Sequence, residues 1–228
     1  MDLKIIYEDK YILCLEKPQG IPSQSDKTND EDLMSQATNY LTNKGEKNYL
    51  GLIHRLDRPV GGVIVFAKTE FANKELSKQV QLRETNKEYL TVVCGKPESD
   101  TGILEDYLKK LKTINMTKVT TADDKQAKIA KLEYKVLATT ETEEYGTLSL
   151  LLVKLYTGRH HQIRAQLSNA KLPIWGDNKY NKVFMKKKEF TNIALWSHKF
   201  GFKHPKTKEY IEFTSNLPNT YPFNLLNV

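Results

Sequence analysis

Short apolar runs separated by turn residues recur along the chain, and this pattern constrains the fold more than any other feature. The run GVIVFAK at residues 62–68 is typical of a short buried strand. The same pattern predicts two strands within 3–16 and single strands at 88–94, 127–138, 147–156 and 208–214.

Helices are predicted at three places between these strands. Residues 31–42 place apolar side chains on one helical face, with Asn29 or Asp30 as the capping residue. Thr69 is expected to cap a second helix, whose apolar residues recur every four positions. A short third helix is expected over residues 160–168, directly after a Thr-Gly turn.

Residues 97–125 are polar and lysine-rich with few apolar anchors, so we expect a mobile strand-and-loop insertion there. Elsewhere strands dominate, and the helices do not alternate regularly with them. The expected fold class is therefore α+β, with a mixed, largely antiparallel central sheet and flanking helices. Because no linker is long enough to separate independent domains, residues 1–228 are expected to form a single domain.

The charge of the chain favours an anionic partner. Lys and Arg total 35 against 28 Asp and Glu, a net charge of +7, which suits RNA or DNA. No apolar run is long enough to cross a membrane, and the first residues lack the apolar core of a signal peptide. A cytoplasmic protein without a membrane partner is expected. Cys14 and Cys94 lie in apolar runs and are expected to be buried thiols.

Arginine is rare in this lysine-rich chain and is concentrated in two places. Only five arginines occur, and four of them lie in HRLDR at residues 54–58 and GRHHQIR at residues 158–164. Neither segment contains lysine. Arginine offers a planar, permanently charged group that binds carboxylates or phosphates through two hydrogen bonds. The two segments are therefore the first candidates for a functional site.

Asp57 lies in the first segment, immediately before the apolar run at residues 62–68. Pro59 blocks a helix there, and the glycines that follow allow a close backbone approach. Arg55 and Arg58 beside Asp57 would keep its carboxylate ionised. Taken alone, the segment fits a structural turn with a surface salt bridge better than it fits a catalytic carboxylate.

The second segment places two arginines, two histidines and a glutamine after a strand and a turn. A helix that begins there would offer unpaired backbone N–H groups to a phosphate. The structural alternative is a solvated, polar helix start.

Several segments together resemble the RluA-like family of pseudouridine synthases. In chain order, the segments that carry the resemblance are Lys17-Pro18-Gln19-Gly20, His54-Arg55-Leu56-Asp57, Lys87-Glu88-Tyr89-Leu90, Gly158 to Arg164, Pro173 to Asp177 with Tyr180, and Leu195 with Phe202 to Pro205. They span nearly the whole chain. The resemblance implies the pseudouridine synthase fold and the isomerisation of specific uridines in structured RNA, without a metal or other cofactor.

The resemblance also implies residue roles. Asp57 would be the catalytic nucleophile, and Tyr89 would stack on the target uracil and remove its C5 proton. Arg164 would pair with Asp57 and hold it ionised. RNA binding or shaping of the pocket is implied for a further set, namely His54, Arg55, Arg58, Arg159, His161 and Gln162.

We further expect a compact stem-loop of rRNA or tRNA as the substrate, bound by the catalytic domain alone, and a monomeric enzyme. Because the first strand begins near residue 3, we expect no appended S4-like RNA-binding domain. The sequence departs from the family at residues 60–62, where Val-Gly-Gly replaces the usual Thr-Ser-Gly. Whether Asp57 attacks C1′ or C6 of the uridine is left open by the residues.

Two other functions fit parts of the sequence. An RNA-binding module without catalysis would keep the basic surface but would not need Asp57, Tyr89 and Arg164 together. A metal-dependent nuclease could use Asp57, His160 and Asp177, although their spacing is not that of a familiar metal site.

Overall fold

A computed structural model describes residues 3–25, 30–46, 49–187 and 191–226 of the chain. Contacts divide the chain into two compact units. The first comprises residues 1–87 and 197–216, and the second comprises residues 88–196 and 217–228. None of the described helices is long and apolar enough to cross a membrane.

The strands of the described chain are β1 (Lys4–Glu8), β2 (Ile12–Lys17), β3 (Gly51–Leu52), β4 (Gly61–Ala67), β5 (Asn86–Cys94), β6 (Thr101–Leu111), β7 (Met116–Thr120), β8 (Lys128–Thr142), β9 (Gly146–Leu155), β10 (Leu195–Lys203) and β11 (Tyr210–Thr214). The helices are α1 (Leu33–Asn43), α2 (Glu70–Leu82), α3 (Gln162–Asn169) and α4 (Lys182–Met185).

In the first unit, β1, β2, β4 and β10 are neighbours in that order, while β3 pairs with β4 and β11 pairs with β10. Every residue of β4 is buried, as its continuous apolar sequence predicts. The core of this unit combines the apolar residues of β2 and β4 with those of α2 and β10, including Cys14, Val65, Leu76 and Phe200.

The capping residues of α1 and α2 agree with the sequence prediction in one case and differ from it in the other. The side chain of Thr69 accepts a hydrogen bond from the backbone N–H of Ala72, so the predicted cap of α2 is confirmed. Helix α1 is capped by Asp32, whose carboxylate accepts the N–H of Ser35 at 3.0 Å. The prediction of Asp30 as the cap was wrong, and Asn29 lies outside the described residues.

In the second unit, β5, β9, β8, β6 and β7 are neighbours in that order, and each of these pairings is antiparallel. The strands of the strand-and-loop insertion predicted at residues 97–125 are confirmed, because β6 and β7 form a hairpin that pairs with β8 from Thr101 to Leu108. Mobility of this segment stays a prediction. Only one face of the hairpin is covered. There Leu108 of β6 and the neighbouring Ala130 of β8 pack against Ala165 of α3. Its other face is solvated, which explains the polar sequence.

The predicted α+β class with largely antiparallel strands is confirmed. Both cysteines are free, but only Cys14 is buried, whereas Cys94 is partly exposed. Strand β10 was not predicted, because Ser197, His198 and Lys199 interrupt its apolar pattern.

Candidate active site

Asp57 lies, partly exposed, on the loop that leads into β4. Residues 17–23, here called the anchor segment, contact the backbone of this loop. Before Asp57, the hydroxyl of Ser23 donates to the carbonyl of Leu56 at 2.9 Å, and the N–H of Leu56 donates back to that hydroxyl at 3.2 Å. Both hydrogen bonds of this exchange are buried. The anchor segment therefore holds the chain at the residue before the predicted nucleophile.

Lys17 is the centre of the contacts on the other side of Asp57. Its side chain is fully buried, and its Nζ donates to the carbonyls of Pro18 at 2.9 Å, Ile21 at 2.6 Å and Arg58 at 3.1 Å. Burial lowers the pKa of Lys17 to about 7, while the negative charge of Asp57 acts in the opposite direction. Three carbonyls match the three N–H donors of an ammonium group. Lys17 thus ties the anchor segment to the residue that follows Asp57.

Two further hydrogen bonds complete this attachment. The N–H of Gly20 donates to the carbonyl of Arg58 at 2.9 Å, and the side-chain amide of Gln19 donates to the carbonyl of Pro59 at 3.1 Å. The sequence identifies these residues only as a motif. A lysine at the end of an apolar strand was the one available signal that Lys17 is buried and ties the loop in place.

Gly62, at the start of β4, allows β10 to approach closely. Its φ is +108°, and a Cβ atom there would lie 2.1 Å from the carbonyl oxygen of Ser197. Any other residue would clash with the backbone of β10, so the expected close approach at these glycines is confirmed at Gly62.

His54 is a neutral ring that packs within the first unit. Its Nε2 accepts the N–H of Val65 at 3.2 Å, and its ring stacks on Phe200 with centroids 4.3 Å apart. Burial, helped by the charge of Lys87, lowers the pKa of His54 to about 3. An uncharged ring fits the shaping of the pocket better than the binding of a phosphate.

The two arginines beside Asp57 are exposed. Arg58 donates through Nη2 to the carboxylate of Asp30 at 2.6 Å and through Nε to the carbonyl of Gly20 at 2.9 Å. Contact of Arg55 and Arg58 with RNA stays a prediction.

Arg164 of α3 forms a buried ion pair with Asp177. Its Nε and Nη2 donate to the two carboxylate oxygens at 2.8 and 2.7 Å, and the side chains are 3% and 0% exposed. Asp177 also accepts the backbone N–H groups of Lys179 at 2.9 Å and Tyr180 at 3.1 Å. These contacts fix the guanidinium plane. The sequence did not reveal that Asp177 is a partner of Arg164, and pairing of Arg164 with Asp57 stays a prediction.

The residues before Arg164 support the turn into α3. Gln162 is buried; its Oε1 accepts the Thr157 hydroxyl at 2.8 Å and the Arg159 N–H at 2.9 Å, while its Nε2 donates to the Lys131 carbonyl at 3.1 Å. Arg159 Nε donates to a carbonyl of β8. Contact of Gln162 and Arg159 with RNA stays a prediction, and the structure gives Gln162 a supporting role.

His161 begins α3 in the left-handed conformation and is buried. Burial, reinforced by the positive charge of Arg164, lowers the pKa of His161 to about 2, so its ring is neutral. Its contact with RNA likewise stays a prediction. Tyr89, the predicted stacking residue, lies on β5 opposite Val153 of β9 and is 8% exposed.

The described part of the chain holds no group of three or more His, Cys, Asp or Glu side chains that could bind a metal ion. Asp177, a ligand in the nuclease hypothesis, is instead bound to Arg164 and two backbone N–H groups. This arrangement argues against the metal-dependent nuclease.

Comparison with known proteins gives consistent matches. Residues 11–169 match the model of the RNA pseudouridylate synthase family. Ribosomal large subunit pseudouridine synthase D of Borreliella burgdorferi is 32% identical, with 99% of this chain and 68% of that protein covered. tRNA pseudouridine synthase C of Vibrio parahaemolyticus is 28% identical, covering 97% of this chain and 93% of the relative.

A solved structure, human RNA pseudouridylate synthase domain containing 1, superimposes with a TM-score of 0.80 at 19% identity, over 96% of this chain and 85% of that one. This likeness supports the fold. The chain spans 66 to 71% of the length of four other curated relatives.

The Arg164–Asp177 pair generates a prediction about stability. Asp177→Asn should lower the free energy of unfolding by about 3 kcal/mol or more, because Arg164 would stay buried without its counter-charge. Urea denaturation at pH 7 measures this difference.

The matched control is Asp30→Asn, which removes the carboxylate from the Arg58–Asp30 pair, whose side chains are 43% and 50% exposed. Its cost should be below about 1 kcal/mol. Equal losses in the two variants would contradict the distinction between a buried and an exposed pair.

Proposed function

Because the chain belongs to the RNA pseudouridylate synthase family, we propose that it isomerises specific uridines of structured RNA with Asp57 as the nucleophile. Membership of the family makes the chain an RNA pseudouridine synthase, which is an isomerase. The observation that best supports Asp57 is its loop, whose backbone is bonded to the anchor segment through both Leu56 and Arg58. A nucleophile needs such a fixed position to reach one atom of the substrate.

The isomerisation of uridine to pseudouridine rearranges bonds within one nucleotide. The C1′–N1 bond of uridine breaks, the base rotates, and a C1′–C5 bond forms. The proton on C5 is released while N1 gains one, so the product has the composition of the substrate. An ionised carboxylate that attacks C1′ or C6 divides this change into easier steps, and Asp57 supplies that carboxylate in the proposal.

Two further roles belong to the proposal. Tyr89 stacks on the target uracil and removes the C5 proton, and Arg164 keeps the carboxylate of Asp57 ionised. Support for Arg164 comes from the bonds of its Nε and Nη2 to Asp177, which hold the guanidinium in one orientation. A rigid, permanently charged group is suited to the stabilisation of a carboxylate.

The proposed substrate is a compact stem-loop of rRNA or tRNA. The names of the relatives from Borreliella burgdorferi and Vibrio parahaemolyticus refer to the ribosomal large subunit and to tRNA respectively. A loop uridine is cheaper to unstack than a paired one, and single-stranded loops are the usual targets of sequence-selective RNA recognition. Because the basic residues are mainly lysines, they suit phosphates and position the RNA rather than select its bases. The enzyme would act as a monomer in the cytoplasm, where these RNAs occur.

Asp57→Asn should abolish isomerisation while folding and RNA binding stay nearly unchanged, because the amide is isosteric but not nucleophilic. Tritium release from RNA labelled with 5-tritiated uridine, assayed with a metal chelator present, measures the reaction. The RNA comes from a strain that lacks the protein.

The control for this variant is Asp123→Asn, which changes an exposed carboxylate and should react like the wild type. The wild-type enzyme should be fully active with the chelator. Residual turnover of Asp57→Asn above about one per cent would contradict the nucleophile, since its loss typically costs several orders of magnitude. Binding of RNA without any tritium release by the wild type would instead favour a non-catalytic RNA-binding module.

The substrate proposal predicts that a minimal hairpin is modified. Pseudouridines missing from the RNA of the deletion strain identify the target, and a hairpin of that site should be converted in vitro by the purified chain. Binding should weaken steeply with added salt, because phosphate contacts release counterions. A requirement for a whole ribosomal subunit or a partner protein would contradict recognition by these 228 residues.

A further inference from the structure

The β6–β7 hairpin contacts the residues around Arg164 through Thr117 of β7. Thr117 is 4% exposed, and its backbone N–H donates to the hydroxyl of Tyr180 at 2.6 Å. Its own hydroxyl donates to the carbonyl of His160 at 2.9 Å and lies 2.8 Å from Nδ1 of the same residue. Hydrogen bonds therefore join the hairpin both to the turn before α3, at His160, and to the loop after α3, at Tyr180.

Tyr180 connects Thr117 to the buried ion pair. The guanidinium of Arg164 lies over the Tyr180 ring, with Cζ 5.2 Å from the ring centroid. The backbone N–H of Tyr180 donates to Asp177 at 3.1 Å, and its hydroxyl lies 2.9 Å from Nδ1 of the neutral His161. The side chain of Tyr180 thus contacts the hairpin, the ring of His161 and Arg164. Its backbone N–H contacts Asp177.

Burial raises the pKa of Tyr180, so its hydroxyl stays protonated in the working pH range. The ring supplies a face for the cation, and the hydroxyl fixes the position of that ring. Loss of the hydroxyl would leave the ring present but unattached to Thr117 and His161.

The exposed charged residues in the outer part of the hairpin are basic, in contrast to the buried, uncharged Thr117. Residues 107–120 contain four lysines and no carboxylate, and Lys110, Lys112 and Lys118 are exposed. At the turn, Lys179 donates to the carbonyl of Asn115 at 3.1 Å, a second contact between the hairpin and the loop that carries Asp177 and Tyr180. Exposed lysines suit the phosphates of the substrate.

We propose that Tyr180 is a positioning residue, which holds Arg164 for the chemical step and is itself held by Thr117 of the hairpin. The inference depends on the proposed role of Arg164. In this arrangement the hairpin affects the rate of isomerisation through Tyr180, separately from any effect of its lysines on RNA affinity.

The test is Tyr180→Phe, which keeps the aromatic face and the backbone N–H and removes only the hydroxyl. Its single-turnover rate at saturating RNA should fall about tenfold, as expected for the loss of a buried hydrogen bond, while Kd for the RNA should change less than twofold. The probe is the tritiated RNA of the deletion strain. A matched control is Tyr156→Phe, whose hydroxyl donates to Glu133 at an exposed site and whose loss should leave the rate unchanged.

If Tyr180→Phe folds poorly, a second pair of variants tests the same assignment. Thr117→Ser keeps the hydroxyl that bonds to His160, whereas Thr117→Val removes it. Both variants keep the backbone N–H that donates to Tyr180, so the pair tests whether Thr117 itself must be fixed to His160 for Tyr180 to be held. The rate should fall in the valine variant and be preserved in the serine variant, and their thermal midpoints should lie within a few degrees of each other. A merely structural role would instead lower stability in parallel with the rate.

Wild-type rates in both Tyr180→Phe and Thr117→Val would overturn the inference, as would weaker RNA binding with an unchanged rate. Asp57→Asn in the same assay distinguishes failure of the positioning role from failure of the proposed function. If Asp57→Asn is inactive and Tyr180→Phe is normal, only the positioning role fails. If Asp57→Asn is active, the proposed function fails first.

Discussion

The hydrogen bonds from the buried Lys17 ammonium to three backbone carbonyls are the interaction on which the proposed catalytic loop depends. Two of these carbonyls belong to the anchor segment and the third to Arg58, the residue after Asp57. A buried ammonium group is costly unless its donors are satisfied, and here each N–H has an acceptor. The third N–H of this charge is therefore satisfied only when the loop carrying Asp57 takes its observed position, which couples the fold of the first unit to the placement of its proposed nucleophile.

In the second unit, the pair of Arg164 and Asp177 has a comparable role. The carboxylate satisfies the guanidinium and two backbone N–H groups, so the end of the loop after α3 and the helix itself are joined at one buried point. Tyr180 extends the same network to the hairpin through Thr117. Polar groups inside each unit thus organise the residues proposed to act on RNA, while the apolar strands around them supply the stability.

The parts of the fold that could be predicted from the sequence are those with strong local patterns. The run that forms β4 is continuous and apolar because the strand is buried throughout, and Thr69 caps α2 as its position suggests. Strand β10 was missed because Ser197 and His198 are polar, yet each donates a hydrogen bond inside the unit, to the carbonyls of Val63 and Ser215 respectively. Candidate residues of the site were identified from their types and order. The burial of Lys17 and the choice of Asp177 as a partner depend on tertiary contacts that local patterns do not encode.

Hydrogen exchange followed by mass spectrometry tests most directly whether Lys17 holds the loop of Asp57. The comparison is between Lys17→Met, which keeps most of the length of the side chain but removes its donors, and Lys10→Met, which alters an exposed lysine. Peptides that contain the amides of Leu56 and Val60 should exchange at least about tenfold faster in Lys17→Met, corresponding to about 1.4 kcal/mol of lost local stability, while peptides from β8 and β9 keep their wild-type rates. Unchanged exchange in the loop, or the same acceleration in every peptide, would contradict the account.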